Sequence, residues 1–356
     1  MLTIDGSHGE GGGQIFRSSL SLSLITRRPF RIERLRAGRT KPGLLRQHLT
    51  SVLAAAEVGD ARVQGAELGS QELTFEPRAL RGGTFRFDIG SAGSTMLVLQ
   101  TILVPLLVAS EPAELTLEGG THNPAAPTFE FLRASFLPLL RKMGAHVSIA
   151  LERPGFFPAG GGRVQVRIEP ATLRPIAILE RGALLAKRAR AAVANLPLEI
   201  AMRELHEVGW EDARAETLAG ARGPGNVLSL EAEFENVTEV VTGFGEKGVR
   251  GEEVARRARD EMQRYLDSNA AVGEHLADQL LLPMAIAGGG AFSTVEPSAH
   301  TTTNAEVIRA FLDVAVTIER DGARYQCAIT SGASSPTPRS TSSIVSPPRS
   351  SANEER

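Results

Sequence analysis

Apolar residues recur at helical spacing in three stretches of the chain, 11–25, 91–109 and 272–287, and each stretch is entered through a run of small residues. The pattern predicts three apolar helices. About 27 residues after each beginning stands a threonine-marked segment that reads as a second helix opening. These segments are Arg39-Thr40-Lys41-Pro42, Gly120-Thr121-His122-Asn123-Pro124 and His300-Thr301-Thr302-Thr303-Asn304. Pro124 suits a first helical turn, and Thr303 with Glu306 three residues later has the form of a capping box. Between the helices, runs rich in β-formers at 30–35, 72–75, 84–89, 114–118, 147–151 and 164–168 predict strands. The recurring unit is thus a small sheet backed by two helices.

The spacing of the repeats also exposes an insertion. Thr40 and Thr121 lie 81 residues apart, whereas Thr121 and Thr301 lie 180 apart, an excess of 99. The surplus has a pattern of its own: a strand at 186–194, a helix at 198–208, strands within 227–242 and a charged helix at 252–266. The expected organisation is a three-repeat α+β domain made of 1–182 and 269–329, with 183–268 as an inserted small α+β domain. Residues 330–356 form a Ser/Pro-rich tail without core-building groups, expected to be disordered.

Composition removes several function classes. Across 356 residues, 39 Lys and Arg face 41 Asp and Glu, so no global positive field draws in nucleic acid and any RNA contact must be a local patch. The single cysteine, Cys327, excludes a disulfide framework within the chain and a cysteine-rich zinc site. No basic-then-apolar leader and no membrane-length apolar run are present, which predicts a cytoplasmic protein without a membrane partner.

The candidate chemistry begins at Gly9-Glu10-Gly11-Gly12-Gly13-Gln14, where glycine N–H groups at a helix start can approach a phosphate. A bare anion would repel Glu10, but a divalent cation between carboxylate and phosphate accommodates it. Arg17 lies one turn beyond Gln14 on the same predicted helix. Arg36, Arg39, Lys41 and Arg46 form the local basic patch, suited to a terminal phosphate and an RNA backbone, although a solvated helix face has the same composition. Gln100 interrupts an apolar helix and Asp278 interrupts Leu276-Ala277-Asp278-Gln279-Leu280-Leu281, so both need polar partners. His300 is expected just before a helix beginning near Thr303, whose positive end favours the uncharged, nucleophilic ring.

Taken in order, Gly9 to Gln14 with Arg17, Arg36-Ala37-Gly38-Arg39, Gln47-His48, Gly90-Ser91-Ala92-Gly93-Ser94, Gln100-Thr101, Gly119-Gly120-Thr121, Pro158-Ala159-Gly160-Gly161-Gly162, Gly223-Pro224-Gly225-Asn226, Ala277-Asp278-Gln279 and Pro297-Ser298-Ala299-His300 resemble the RNA 3′-terminal phosphate cyclases. The likeness covers residues 2 to about 329. It implies three repeats of a four-stranded sheet with two helices, similar to the C-terminal domain of translation initiation factor three, plus one inserted small domain. It further implies that ATP adenylates a histidine, that AMP passes to an RNA 3′-phosphate, and that the 2′-hydroxyl then closes a 2′,3′-cyclic phosphate with loss of AMP. By motif match His300 is the nucleophile, with Arg17 and Arg39 as catalytic cations. Gln100, Pro127, Phe244, His275 and Asp278 are placed at the nucleotide, Arg36, Arg39 and Gln47 at the RNA phosphate, and Glu10 at Mg²⁺ or Mn²⁺. The family usually has tyrosine where this chain has His275, which offers less stacking area and no phenol.

The resemblance leaves other readings open. The same fold serves non-catalytic ribosome-assembly proteins, which lack the nucleophile, and the same histidine chemistry serves adenylation of other polynucleotide ends. An enolpyruvyl transferase would need two three-repeat halves, and this chain has one set of three. No obligate protein partner is expected.

Overall fold

The computed structural model describes residues 1–9 and 11–332. The first unit runs β1 (Leu2–Asp5), α1 (Gln14–Thr26), β2 (Phe30–Glu33), α2 (Arg46–Val58), β3 (Arg62–Gln64) and β4 (Leu73–Glu76). Helix α1 returns the chain so that β2 lies parallel to β1, and the sheet order is β1-β2-β4-β3 with antiparallel pairing elsewhere. The second unit repeats this with β5 (Gly83–Asp88), α3 (Thr95–Leu107), β6 (Ala113–Gly119), α4 (Phe129–Phe131), a π-helical turn (Leu132–Phe136), α5 (Leu137–Lys142), β7 (His146–Arg153) and β8 (Gly162–Glu169). Its order is β5-β6-β8-β7, the same topology.

The third unit opens with the two-residue strand β9 (Ala177–Ile178) and is then interrupted. The interruption contains β10 (Leu184–Ala194), α6 (Glu199–Val208), β11 (Asp212–Thr217), β12 (Gly225–Phe234), β13 (Thr238–Phe244) and α7 (Gly251–Ser268). These strands form their own sheet in the order β11-β10-β12-β13, over a separate cluster of buried side chains that includes Leu228, Leu230, Met262 and Tyr265. The third unit resumes with α8 (Glu274–Ile286), β14 (Gly289–Thr294), α9 (Ala299–Phe311), β15 (Val314–Asp321) and β16 (Arg324–Ser331). Strand β14 still pairs parallel with β9, so the order β9-β14-β16-β15 completes the same pattern across the insertion.

The helices of the three units pack on one another. Helix α1 lies against α9 and α3, α2 against α3, and α8 against α9. Residues 14–24 of α1 are all buried, which a helix with a single apolar stripe could not sustain. Its serines solve the polar problem by donating to nearby carbonyls. Ser19 Oγ bonds Ile15 O at 2.6 Å, and Ser21 Oγ reaches Thr101 O of α3 at 2.7 Å, so small hydroxyls let the helices approach closely.

The first helix of each unit and the strands at 30–35, 72–75, 84–89, 114–118, 147–151 and 164–168 are found within a few residues of expectation. The second helices differ. Residues 34–44 form a loop in which Arg34 and Arg36 have positive φ, and α2 starts only at Arg46, where His48 Nδ1 accepts from Leu45 N at 3.1 Å. After Thr121 the chain stays irregular to Thr128, whose Oγ1 caps α4, so Pro124 is not in a first turn. Ser298, not Thr303, caps α9, and this places His300 inside the first turn. Glu306 bonds His8 instead of closing a capping box. Strand β16 extends to Ser331, past the boundary expected at 329, and the expectation for 333–356 lies outside the described residues. No described helix is long and apolar enough to cross a membrane.

Two stability measurements follow. Leu20, fully buried in α1, should cost about 2–5 kcal/mol on Leu20→Ala, read by denaturant titration; a cost under about 1 kcal/mol would contradict the central position of α1. Glu239 of β13 accepts from Gly273 N, the residue before α8, at 2.8 Å, and burial pushes its carboxyl up to about 8 from 4.5. The folded state therefore holds this proton more tightly than the unfolded chain. Stability relative to Glu239→Gln should fall as pH rises from about 4.5 to about 8. Melting curves of the two proteins that stay parallel over that interval would contradict this.

Candidate functional site

The loop after β1 docks onto the third unit. Gly9 has φ +61°, and a Cβ there would collide with Thr303 Oγ1 of α9, while His8 Nε2 lies 2.6 Å from Glu306 Oε2 on the same helix. The glycine therefore permits both the turn and the close approach. His300 stands on α9 one turn before Asn304, so both share a helix face, and His300 is exposed at the edge of this junction.

Beneath the loop is a polar floor. Arg17 is buried, with Nη2 donating to Gln14 Oε1 at 2.8 Å and Nε to Gln100 Oε1 at 3.0 Å. Gln100, the amide inside an apolar helix, thus has a charged donor across the α1–α3 contact. Gly13 lies directly over Arg17 Nη1, with His48 Nε2 beside it, and a Cβ there would displace the guanidinium. His48 is buried, and burial, with Arg17 and Arg36 adding to it, pushes its pKa down to about 3. Its ring is neutral at neutral pH. Because Nδ1 accepts from Leu45 N, Nε2 carries the hydrogen and faces the glycine loop as a donor.

The third wall comes from α8. Asp278 is buried, and Asn304 Nδ2 donates to its Oδ1 at 3.1 Å and to its carbonyl at 3.0 Å. Ser18 Oγ completes the chain by donating to Asn304 Oδ1 at 2.7 Å. Burial raises the Asp278 pKa, and the charges of His300 and Arg17, the Asn304 bond and the charge of His275 oppose it in that order. A pocket among α1, α3, α8 and α9 is lined by Gln14, Arg17, Gln100, Asp278 and Asn304. All three units contribute to it.

The other expected residues spread outward. Arg36 Nη1 donates to Lys41 O and Gly43 O, shaping its own loop, and Arg39 is exposed at that loop's tip. Gln47 Oε1 accepts from Ser94 N at 2.9 Å and so ties α2 to the start of α3. Pro127 is half-buried in the irregular segment before α4, and Phe244 packs at the end of β13 with a small cluster around Phe156. His275 is exposed in the first turn of α8. None of these three lines the polar pocket. Glu10, the expected metal ligand, lies outside the described residues, and no cluster of three metal-binding side chains is found among the described ones.

Sequence reasoning missed Asn304 and left His48 as a structural residue. The signal for Asn304 was its place four residues after His300 on one helix. The signal for His48 was its position three residues after the N-cap, where a side-chain acceptor can reach back.

The family model for RNA 3′-terminal phosphate cyclase matches residues 8–318. An RNA 3′-terminal phosphate cyclase of Pseudomonas fluorescens is 53% identical over 312 residues, covering 86% of this chain and 91% of the relative. Proteins of the same name from Koribacter versatilis and Ralstonia nicotianae are 48% and 51% identical, covering 90% of this chain and 92% and 94% of their own lengths. Among solved structures, the enolpyruvyl transferase NikO from Streptomyces tendae aligns with 93% of this chain and 49% of its own, at a TM-score of 0.36 and 11% identity, too loose a likeness to carry weight. With a match of this extent laid over the three-unit fold and its shared polar pocket, the chain belongs to the RNA 3′-terminal phosphate cyclase family.

Proposed function

We propose that this chain converts an RNA 3′-terminal phosphate to a 2′,3′-cyclic phosphate at the expense of ATP, through an adenylyl group carried on His300. The observation that carries the reading is the position of His300. It is exposed beside the glycine loop, on a helix whose next turn reaches Asp278 and, through Ser18, the helix of Arg17. Three other histidines hold positions in the fold. His48 Nδ1 is bound and the ring is buried, both His122 nitrogens are engaged by Thr121 and Glu130, and His8 is held by Glu306.

In the first step an imidazole nitrogen of His300 attacks the α-phosphorus of ATP, forming the N–P bond as the P–O bond to pyrophosphate breaks. A terminal-phosphate oxygen of the RNA then attacks that phosphorus and releases the imidazole. Finally the 2′-oxygen attacks the terminal phosphorus, AMP departs, and the 2′-hydroxyl proton is lost. Arg17 and the glycine-loop N–H groups are suited to the charge that develops on the phosphoryl oxygens, and Arg17 is pre-oriented by Gln14 and Gln100. Arg39 at the exposed loop is suited to the RNA phosphate. Pro127, Phe244 and His275 are assigned to adenine, and Glu10 with the substrate phosphates to Mg²⁺ or Mn²⁺, which neutralises departing pyrophosphate when bound. We further assign 183–268 as a separate inserted domain, on the strength of its own sheet and core.

With α-labelled ATP and Mg²⁺ or Mn²⁺, the wild type should acquire acid-labile, alkali-stable label and His300→Ala none. Label on His300→Ala would place the nucleophile elsewhere. Asn304→Ala should keep the fold yet slow labelling on the order of 10²-fold, because it releases the helix face that sets the imidazole; an unchanged rate would remove Asn304 from this role. Arg39→Ala should label normally and lose cyclisation of 3′-phosphorylated RNA, scored by phosphatase resistance of the end, and retention of that step would return Arg39 to the solvent.

A further inference from the structure

Phe157 is the most exposed large apolar side chain among the described residues, at 71%. It occupies the β7–β8 connection, in the run Gly155-Phe156-Phe157-Pro158-Ala159-Gly160-Gly161-Gly162, which the chemistry above does not use. The loop beneath it is firmly held. Gly155 exchanges hydrogen bonds with Thr121 at 2.9 Å in both directions, and Gly160 N donates to Phe156 O at 2.7 Å. Phe156 points inward, with its ring stacked on His122 at 5.0 Å and packed against Ala192, Ala194 and Val227 of the inserted sheet. One aromatic ring therefore anchors the loop while the next is presented to water.

A single exposed apolar side chain is ordinary on a protein surface. The charges around this one are what give it meaning. The exposed Arg222 lies so close over Gly161 that a Cβ there would collide with it, and Arg153 donates to Gly161 O. On the other side, the backbone of Gly160 rests on Ser91 and Ala92, and Arg46 Nη1 stands 3.7 Å from the Cβ position of Gly90. Among the described residues neither Arg46 nor Arg222 is ion-paired. The exposed ring thus stands on a loop with arginines at Gly161 and, past Ser91 and Ala92, with Arg46 near Gly90, whose N–H donates to the exposed Asp88.

We propose that Phe157 and Arg222 form the platform for the RNA strand just upstream of the reacting end. A base stacks on Phe157, its phosphate pairs with Arg222, and Arg46 leads the backbone toward Arg39. Aromatic stacking beside arginines is the chemistry that holds single-stranded nucleic acid with little sequence preference. The proposal rests on the RNA-cyclase reading and extends it to the body of the substrate.

The test uses the full chain and single-stranded, 3′-phosphorylated RNA of about ten nucleotides, long enough to occupy one such site. Phe157→Ala should weaken RNA binding, measured by fluorescence anisotropy, and raise the KM for cyclisation about tenfold, with Phe157→Tyr close to wild type. Arg222→Ala should weaken binding and lower its dependence on salt. Both should retain wild-type self-labelling and KM for ATP, and neither should alter the KM for a nucleoside 3′-phosphate, which has no upstream strand. Unchanged RNA affinity in Phe157→Ala would overturn the proposal, and a raised KM for ATP would assign the ring to adenine instead. Because anisotropy needs no turnover, a wild type that binds RNA through Phe157 yet closes no phosphate would refute the cyclase reading alone.

Discussion

The structure depends on one buried chain of hydrogen bonds, from Ser18 of α1 through Asn304 of α9 to Asp278 of α8. Three helices from the first and third units meet there, and none of the groups has water to fall back on. A polar group in such a place costs roughly 1–3 kcal/mol if left unpaired, so each link constrains the others. The chain thereby fixes the rotation of α9, and with it the direction in which the preceding turn presents His300. Arg17 extends the same logic to the second unit by donating to Gln100 of α3. The site is a by-product of how three repeats satisfy their interior.

Repetition explains why the architecture was so readable. The first helices are buried over most of their length, and the alternating strands have one face on them, so periodicity located both within a few residues. The surplus of chain between the second and third units was visible by arithmetic, because a repeat of fixed length exposes any excess. The second helices were less readable for a local reason. Threonines at 40 and 121 looked like caps, but the chain uses His48 to satisfy Leu45 N before α2 and Thr128 before α4. Proline and glycine in those segments make loops, not helix starts.

The site divided in the same way. Gln100 and Asp278 announced themselves as polar residues in apolar helices, and each has the buried partner that anomaly demands. Asn304 gave no such sign, since an asparagine in a helix with several threonines is unremarkable until the fold brings Ser18 and Asp278 to it. Gln47 looked like a ligand-binding residue and is partly spent on Ser94 N, a long-range bond that local sequence cannot foresee.

The inserted segment shows what the repeats alone could not supply. It enters between β9 and α8, where β9 is only two residues long, yet β14 keeps its parallel pairing to it. The insertion therefore leaves the third sheet's topology intact and contacts the repeats at two places. At one end Glu239 of β13 holds Gly273 N at the start of α8, the helix that carries His275 and Asp278. At the other, its strands receive Phe156 of the second unit, and Phe244 joins that cluster. A site floor made only from helices of the repeats would end where those helices end. By bracing the opening turn of α8 and packing on Phe156 of the second unit's loop, the insertion contacts both the second and the third unit.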